Sequence, residues 1–228
     1  MTPIRDIAFR LSSDLLSAFA LLSRLPLPNH RGTGAGSAWA WPLVGAVVGA
    51  FGAALASVAL WLGVTPGVTA ALVLSLGAML TGGLHEDGLS DTADGLYGGW
   101  TKARRLEIMK DSRVGSYGVL ALVLVTLARW SALTALLVYG GPTHAHWAAL
   151  VATGALSRAP MALIMALLPN ARGEGLSHAT GQPGPAVALA ALGLSAGIAV
   201  LLTGLTGLVM VAAALGVGVL LSISALRR

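Results

Sequence analysis

The sequence predicts an all-α protein: a polytopic membrane helix bundle of about six transmembrane helices, preceded by an N-terminal amphipathic or buried helix. Hydrophobic residues make up 56% of the 228 and charged residues only 10%, and the mean hydropathy is +0.81, far from the soluble average. A spanning helix needs about 20 mostly apolar residues. Six segments meet that length, at roughly 38–62, 65–83, 115–139, 146–168, 185–206 and 207–226.

In chain order, residues 6–25 place Ile7, Leu11, Leu15, Ala18, Leu22 and Leu25 at helical spacing, with Arg10, Asp14, Ser17 and Arg24 towards another side. That pattern suits an interfacial helix or a short helix buried against the bundle. Asp14 and Arg24 interrupt what would be the apolar stretch of a cleaved signal, so this segment is read as part of the mature chain. Pro66, Pro142 and the Pro183–Pro185 region punctuate the spans. Gly45 with Gly49 and Gly193 with Gly197 are small residues four apart, a spacing that permits close helix packing within a chain or in a homo-oligomer. No internal repeat divides the chain, so residues 1–228 read as a single integral membrane domain.

The formal charge of +5 invites a nucleic-acid partner, but the basic residues form no binding stripe. They follow topology instead. Arg5, Arg10, Arg24 and Arg31 precede the first span, and Lys102, Arg104, Arg105, Lys110 and Arg113 lie between the second and third. Arg172 follows the fourth, and Arg227 and Arg228 follow the sixth, while the connections around Val64–Pro66, Gly140–Ala145 and Gly204–Gly207 have no Lys or Arg. The positive-inside rule then puts both termini and the 82–118 segment on the cytoplasmic side of a lipid bilayer. The absence of cysteine excludes disulfide and thiol chemistry.

Residues 82–118 hold six of the nine carboxylates, four of them (Glu86, Asp87, Asp91 and Asp94) within nine residues. Two like charges about 4 Å apart repel by roughly 4 kcal/mol at an effective dielectric near 20. Such a cluster calls for a counter-ion. If the second span continues as a helix past Gly83, Asp87, Asp91 and Asp94 share a face at i, i+4 and i+7, flanked by Glu86. Arg104, Glu107 and Asp111 share another face, and a hairpin would bring Asp111 against the first. Oxygen ligands without thiolate favour Mg²⁺ or Mn²⁺, and Mg²⁺ commonly joins one or two carboxylates to substrate phosphates. Phosphoryl-type transfer follows. The competing reading is a solvated loop neutralised by its own Arg and Lys. The many glycines between Gly82 and Gly118 weigh against it, since each costs a solvated helix about 1 kcal/mol relative to Ala. Glycine permits the close backbone approach that clamping a diphosphate between helix ends requires.

HEDGLSDTADGL and EIMKDSRVGSYG within 81–118, SRLPLP at 23–28 and LSRAPMALIMALLPNARGEGL at 156–176 resemble the cobalamin synthase family, the adenosylcobinamide-GDP ribazoletransferases. Ser90 stands where alanine is frequent in that family. The resemblance implies an Mg²⁺-dependent enzyme of the prokaryotic cytoplasmic (inner) membrane that joins adenosylcobinamide-GDP to α-ribazole, or its 5′-phosphate, with release of GMP. This is the last step of cobalamin nucleotide-loop assembly. The chemistry is similar to that of CDP-alcohol phosphotransferases, an analogy of reaction only. On this reading Asp87, Asp91, Asp94 and Asp111 hold one or two Mg²⁺ ions. The catalytic candidates are Asp91, Asp94, Asp111, Glu86 and His85, the proton acceptor being Asp94 or Asp111, or in their place Glu86 or His85. Lys102, Arg104, Arg105, Lys110 and Arg113 neutralise the diphosphate, with Arg113 favoured by its place in DSRVG. Family members continue past the residues matching Arg227 and Arg228 into a Gly-rich GGxTGD-like segment and another apolar stretch, which implies more than six spans in a longer chain.

An arginine within a span costs roughly 2.5–3.5 kcal/mol on insertion scales, so neither Arg129 nor Arg158 is expected to face lipid. Arg158, inside LSRAPM, is read as a cavity residue contacting substrate phosphate; Arg129 is read as snorkelling or paired within the bundle. His144 and His146 read as loop histidines. Asn170, Arg172, Glu174 and His178 shape a corrinoid or base pocket, or form a solvated loop. Trp39, Trp41, Trp61, Trp100 and Trp147 read as an interfacial belt. Two rival functions are a transporter lined by the intramembrane arginines and a membrane prenyltransferase. The first is disfavoured by the concentration of acids in one segment, the second by the lack of a second acidic motif.

Overall fold

The computed structural model describes residues 3–140 and 143–227, so the break expected at Pro142 and the terminal Arg228 lie outside the described residues. Among those residues the chain is helical, without a strand. In order it forms α1 (Pro3–Leu22), a 3₁₀ segment (Gly34–Ala40), α2 (Trp41–Trp61), α3 (Pro66–Thr81), α4 (Leu84–Gly98) and α5 (Lys102–Ile108). There follow α6 (Ser116–Tyr139), α7 (Thr143–Leu156), α8 (Ala159–Leu167), α9 (Leu176–Thr180), α10 (Pro185–Thr203) and α11 (Leu205–Arg227). Among the described residues five helical stretches are long and apolar enough to cross a membrane: Gly34–Trp61, Ser116–Tyr139, His144–Leu167, Pro185–Thr203 and Leu205–Arg227. A sixth appears if α3 and α4 count as one bent span. The protein is an all-α polytopic membrane bundle.

The second span departs from expectation. It does not continue straight into the acids: α3 and α4 meet at 89°. Gly82 and Gly83 are both left-handed, with φ of +65° and +72°. The Gly83 N–H reaches back to the Ala78 carbonyl (2.8 Å) and the Gly82 N–H to that of Met79 (3.1 Å). This closes α3 in the manner of a Schellman cap and aims the chain in a new direction. A residue with a Cβ would resist two such conformations in succession.

The chain divides into two compact units, Met1–Phe51 with Trp147–Gly218 and Gly52–His146 with Val219–Arg228, with α2, α7 and α11 contributing to both. In the first, α1 packs on the 3₁₀ segment through Ser13, Ser17, Ala18 and Leu22, which are buried, while Phe9 and Leu11 are exposed. Ser17 Oγ accepts from the Thr33 N–H (3.0 Å), and Trp39 Nε1 donates to Asp14 (2.9 Å). The charge that interrupts the apolar face therefore has a partner. Trp41 is 1% exposed and belongs to the core rather than to an interfacial belt. Gly45 and Gly49 behave as their spacing predicts: a Cβ at either would collide with the carbonyl of Gly154 or Leu150 on α7. Gly193 and Gly197 make no such contact within the chain, nothing lying within 4 Å of where their Cβ would be. The core is largely alanine, including Ala152, Ala155, Ala159, Ala162, Ala188, Ala191 and Ala199, as expected where lipid supplies no hydrophobic drive and close contact must hold helices together.

In the second unit α3 and α4 pack on α6, and α5 packs on α4. Trp130 Nε1 of α6 donates to the Gly67 carbonyl of α3 (2.8 Å). His146, expected in a loop, is instead in the first turns of α7 and buried, with Nε2 3.0 Å from Ser57 Oγ of α2.

Candidate active site in the acidic segment

Helix α4 begins at the left-handed Gly83 and carries Glu86 and Asp87 in its first turn, where the helix dipole favours negative charge. Its other end turns into α5 through Gly99. Arg105 closes that turn by donating Nε to the Gly99 carbonyl (2.8 Å) and Nη2 to that of Trp100 (3.4 Å). Thr101 caps α5 by accepting from the Arg104 N–H (3.3 Å), and Arg104 pairs with Glu107 one turn on (2.8 Å).

Asp111 does not share a helical face with Arg104 and Glu107 as the spacing suggested, because α5 ends at Ile108. It sits in the following turn. Its Oδ1 accepts from the Arg113 backbone N–H (3.0 Å), a local bond that competes with helix continuation. The Arg113 guanidinium forks onto the same carboxylate, Nη2 to Oδ2 at 2.7 Å and Nε to Oδ1 at 3.1 Å. The side-chain hydrogen bond from Arg113, reinforced by its backbone N–H, lowers the Asp111 pKa to about 2.

Asp94 is 7% exposed. Its Oδ2 accepts from the Gly115 N–H (2.7 Å) and its Oδ1 from the Gly118 N–H (2.8 Å). Gly115 is the N-cap of α6 and Gly118 lies three residues on. Asp94 therefore does from a neighbouring helix what a capping side chain normally does from its own. A Cβ on either glycine would strike the Asp94 carboxylate. This explains the glycine spacing in GSYG. At the other end of α4, Glu86 Oε1 accepts from Arg129 Nη1 of α6 (3.2 Å), so the two helices run antiparallel.

Asp94, Arg104, Glu107, Asp111, Arg113 and Tyr117 line a cavity of about 510 Å³ together with Gly98, Ile108, Val114, Gly115 and Ser116. Two of the six expected phosphate-binding cations are thus brought together. Lys102 and Lys110 are exposed and, with Arg105, outside the lining. Two of the four expected metal ligands, Asp94 and Asp111, line the cavity; Asp87 and Asp91 do not. Asp87 is exposed and Asp91 half-buried, one turn apart on α4, and His85 is half-buried in its first turn. Glu107 is a cavity acid that the sequence reading left without a role. Its i, i+3 spacing from Arg104 was the available signal. Arg158 belongs to the first unit: it is 9% exposed at the break between α7 and α8, with Nη1 donating to Ser157 Oγ at 2.5 Å.

Among the described residues no three His, Cys, Asp or Glu side chains converge to hold a metal ion. Asp94 spends both oxygens on α6, and Asp111 is held by Arg113. The oxygen-only donor set with Asp87 and Asp91 one turn apart fits Mg²⁺ arriving with a diphosphate, which needs only one or two protein carboxylates. It does not fit a closed protein cage.

A family model described as cobalamin-5-phosphate synthase matches residues 14–228. The chain is similar to proteins named adenosylcobinamide-GDP ribazoletransferase from several bacteria. That of Bradyrhizobium diazoefficiens is 43% identical over 199 residues, 83% of this chain and 74% of the relative. That of Mesorhizobium japonicum is 43% identical over 206 residues, 89% and 78% of the two chains. That of Azorhizobium caulinodans is 44% identical over 200 residues, 85% and 75%. No solved structure matches the chain. With its acidic helix, GSYG cap and arginine-lined cavity all inside the matched region, the chain belongs to the cobalamin-5-phosphate synthase family.

Proposed function

We propose that this protein is an adenosylcobinamide-GDP ribazoletransferase that works at the cytoplasmic face of a prokaryotic inner membrane. It joins adenosylcobinamide-GDP to α-ribazole or its 5′-phosphate and releases GMP. The observation that carries this reading beyond family membership is the cavity that collects Asp111 and Arg113 of the DSRVG motif with Arg104 of α5. The distribution of Lys and Arg among the loops supports a cytoplasmic site.

The ribazole 5′-hydroxyl oxygen forms a bond to the phosphorus on the cobinamide side of the diphosphate. The bond from that phosphorus to the bridging oxygen breaks, and GMP leaves with that oxygen. Arg104 and Arg113 would exchange their carboxylate partners for the diphosphate oxygens and offset the charge that develops there. Mg²⁺, when bound, supplies charge stabilisation for the entering and leaving oxygens. Asp87 and Asp91 would hold it, with Asp111 joining once Arg113 turns to phosphate. While paired, Asp111 is a weak base, because its pKa of about 2 leaves little affinity for the hydroxyl proton. Asp94 has both oxygens committed to backbone N–H groups. With those two committed, the proton acceptor on this reading is Glu86 or His85, and Asp91 serves as a metal ligand.

The test is Asp91→Ala in the membrane-inserted protein. It should abolish Mg²⁺-dependent GMP release from adenosylcobinamide-GDP and α-ribazole while leaving the amount of protein in the membrane unchanged. Normal turnover would refute the assignment. Solute uptake without GMP release would revive the transporter, and turnover of a prenyl diphosphate the prenyltransferase.

A further inference from the structure

Arg129 is an arginine inside the apolar helix α6, outside the motifs that carry the family resemblance. It lies 13 residues into a helix that starts at Ser116, about 20 Å along the axis at 1.5 Å per residue. There it meets Glu86 of α4, Nη1 to Oε1 at 3.2 Å. Among the described residues the other Glu86 oxygen, Oε2, is buried without a hydrogen-bond partner. Removing Arg129 would leave a partly buried carboxylate without its cation, the situation in which an ion pair matters most. Eight residues further along α4, Asp94 is bound to the start of α6 through the Gly115 and Gly118 N–H groups. Helix α4 is thus tied to α6 at two points. Asp87 and Asp91 fall between them.

We infer that Arg129 is a positioning residue: by holding Glu86, it fixes the N-terminal half of α4 so that Asp87 and Asp91 present one constant face to a metal-bound diphosphate. The inference rests on the proposed function, which it deepens. It removes Glu86 from the candidate proton acceptors and gives the intramembrane arginine a role through the acids it steadies. Outer partners that orient metal ligands typically matter 10–100-fold for metal affinity or activity.

The chain contains no cysteine, so a spin-labelled pair can be introduced without removing native thiols. Thr92→Cys on α4 and Leu124→Cys on α6, in otherwise unaltered full-length protein, should give a narrow distance distribution by pulsed electron paramagnetic resonance. Arg129→Met should broaden it, and Arg129→Lys and the exchanged pair Glu86→Arg/Arg129→Glu should keep it narrow. In the same series without labels, the Mg²⁺ concentration for half-maximal rate should rise about tenfold in Arg129→Met, with the KM for adenosylcobinamide-GDP little changed. The exchanged pair should recover. A narrow distribution in Arg129→Met overturns the inference whatever the rate, and so does failure of the exchanged pair to restore either readout. If Arg129→Met does not accumulate in membranes, Glu86→Gln takes its place with the same expected broadening. A distance response as expected in a protein that forms no cobalamin, wild type included, leaves the positioning role standing and refutes the proposed function. The two failures are therefore distinguishable.

Discussion

Two helix contacts in this protein use glycine for opposite ends. Where α2 meets α7, Gly45, Gly49 and Gly154 remove side chains so that backbone touches backbone, and the contact is apolar and dense. Where α4 meets α6, Gly115 and Gly118 remove side chains so that a carboxylate can reach backbone N–H groups, and the contact is electrostatic. The first arrangement answers the absence of a hydrophobic drive in lipid. The second lets a buried acid satisfy the open end of a helix. Glycine alone does not tell which use is intended. The acid opposite it does.

The largest expected effect breaks the apolar contact. Gly45→Val places a Cβ into the Gly154 carbonyl, and overpacking of this kind should cost ~3 kcal/mol, read as a fall in the thermal unfolding midpoint in detergent. Next comes the electrostatic contact. Asp94→Asn keeps the shape but loses the charge behind two hydrogen bonds, a loss of about 2 kcal/mol in the same assay. Gly193→Ala should move the other way, by about 1 kcal/mol of added stability, because its position has nothing within 4 Å to clash with. A loss there would reveal a contact with a second copy of the chain.

The smallest effect concerns Asp111, whose pKa is lowered by Arg113 to about 2 from the ordinary 3.8. A value lower in the folded than in the unfolded state adds stability that is complete above about pH 4 and lost as pH falls towards 2. Asp111→Asn and wild type should therefore differ slightly at neutral pH and converge in acid, measured as unfolding midpoints against pH. Exposure keeps the difference small.

The fold class and the spans were legible because apolar length is a strong signal, and the Gly45–Gly49 spacing correctly announced close packing. The bend at Gly82–Gly83 was not foreseen, since two glycines at a helix end serve equally in a continuous helix or a sharp cap. Once α4 became a helix of its own, the i, i+4 relation of Asp87 and Asp91 survived, but the face was no longer uniform. Asp94 turned out to be committed to α6, a contact 21 and 24 residues away in the chain that no local periodicity encodes. Asp111 left its expected helix because a bond to Arg113 two residues away outcompeted another helical turn. Trp41 and His146 were misplaced for a shared reason. Position near a span end suggests an interface or loop, and only tertiary packing shows that either is buried.

The central claim is a division of labour within one acidic helix: Asp94 holds α6, and Asp91 serves the reaction. It is tested most directly by measuring unfolding midpoint and GMP release together for Asp94→Asn and Asp91→Asn. The account predicts that Asp91→Asn loses turnover with an unchanged midpoint, whereas Asp94→Asn loses turnover and stability together. An Asp94→Asn protein as stable as wild type, or an Asp91→Asn protein with full turnover, would contradict it.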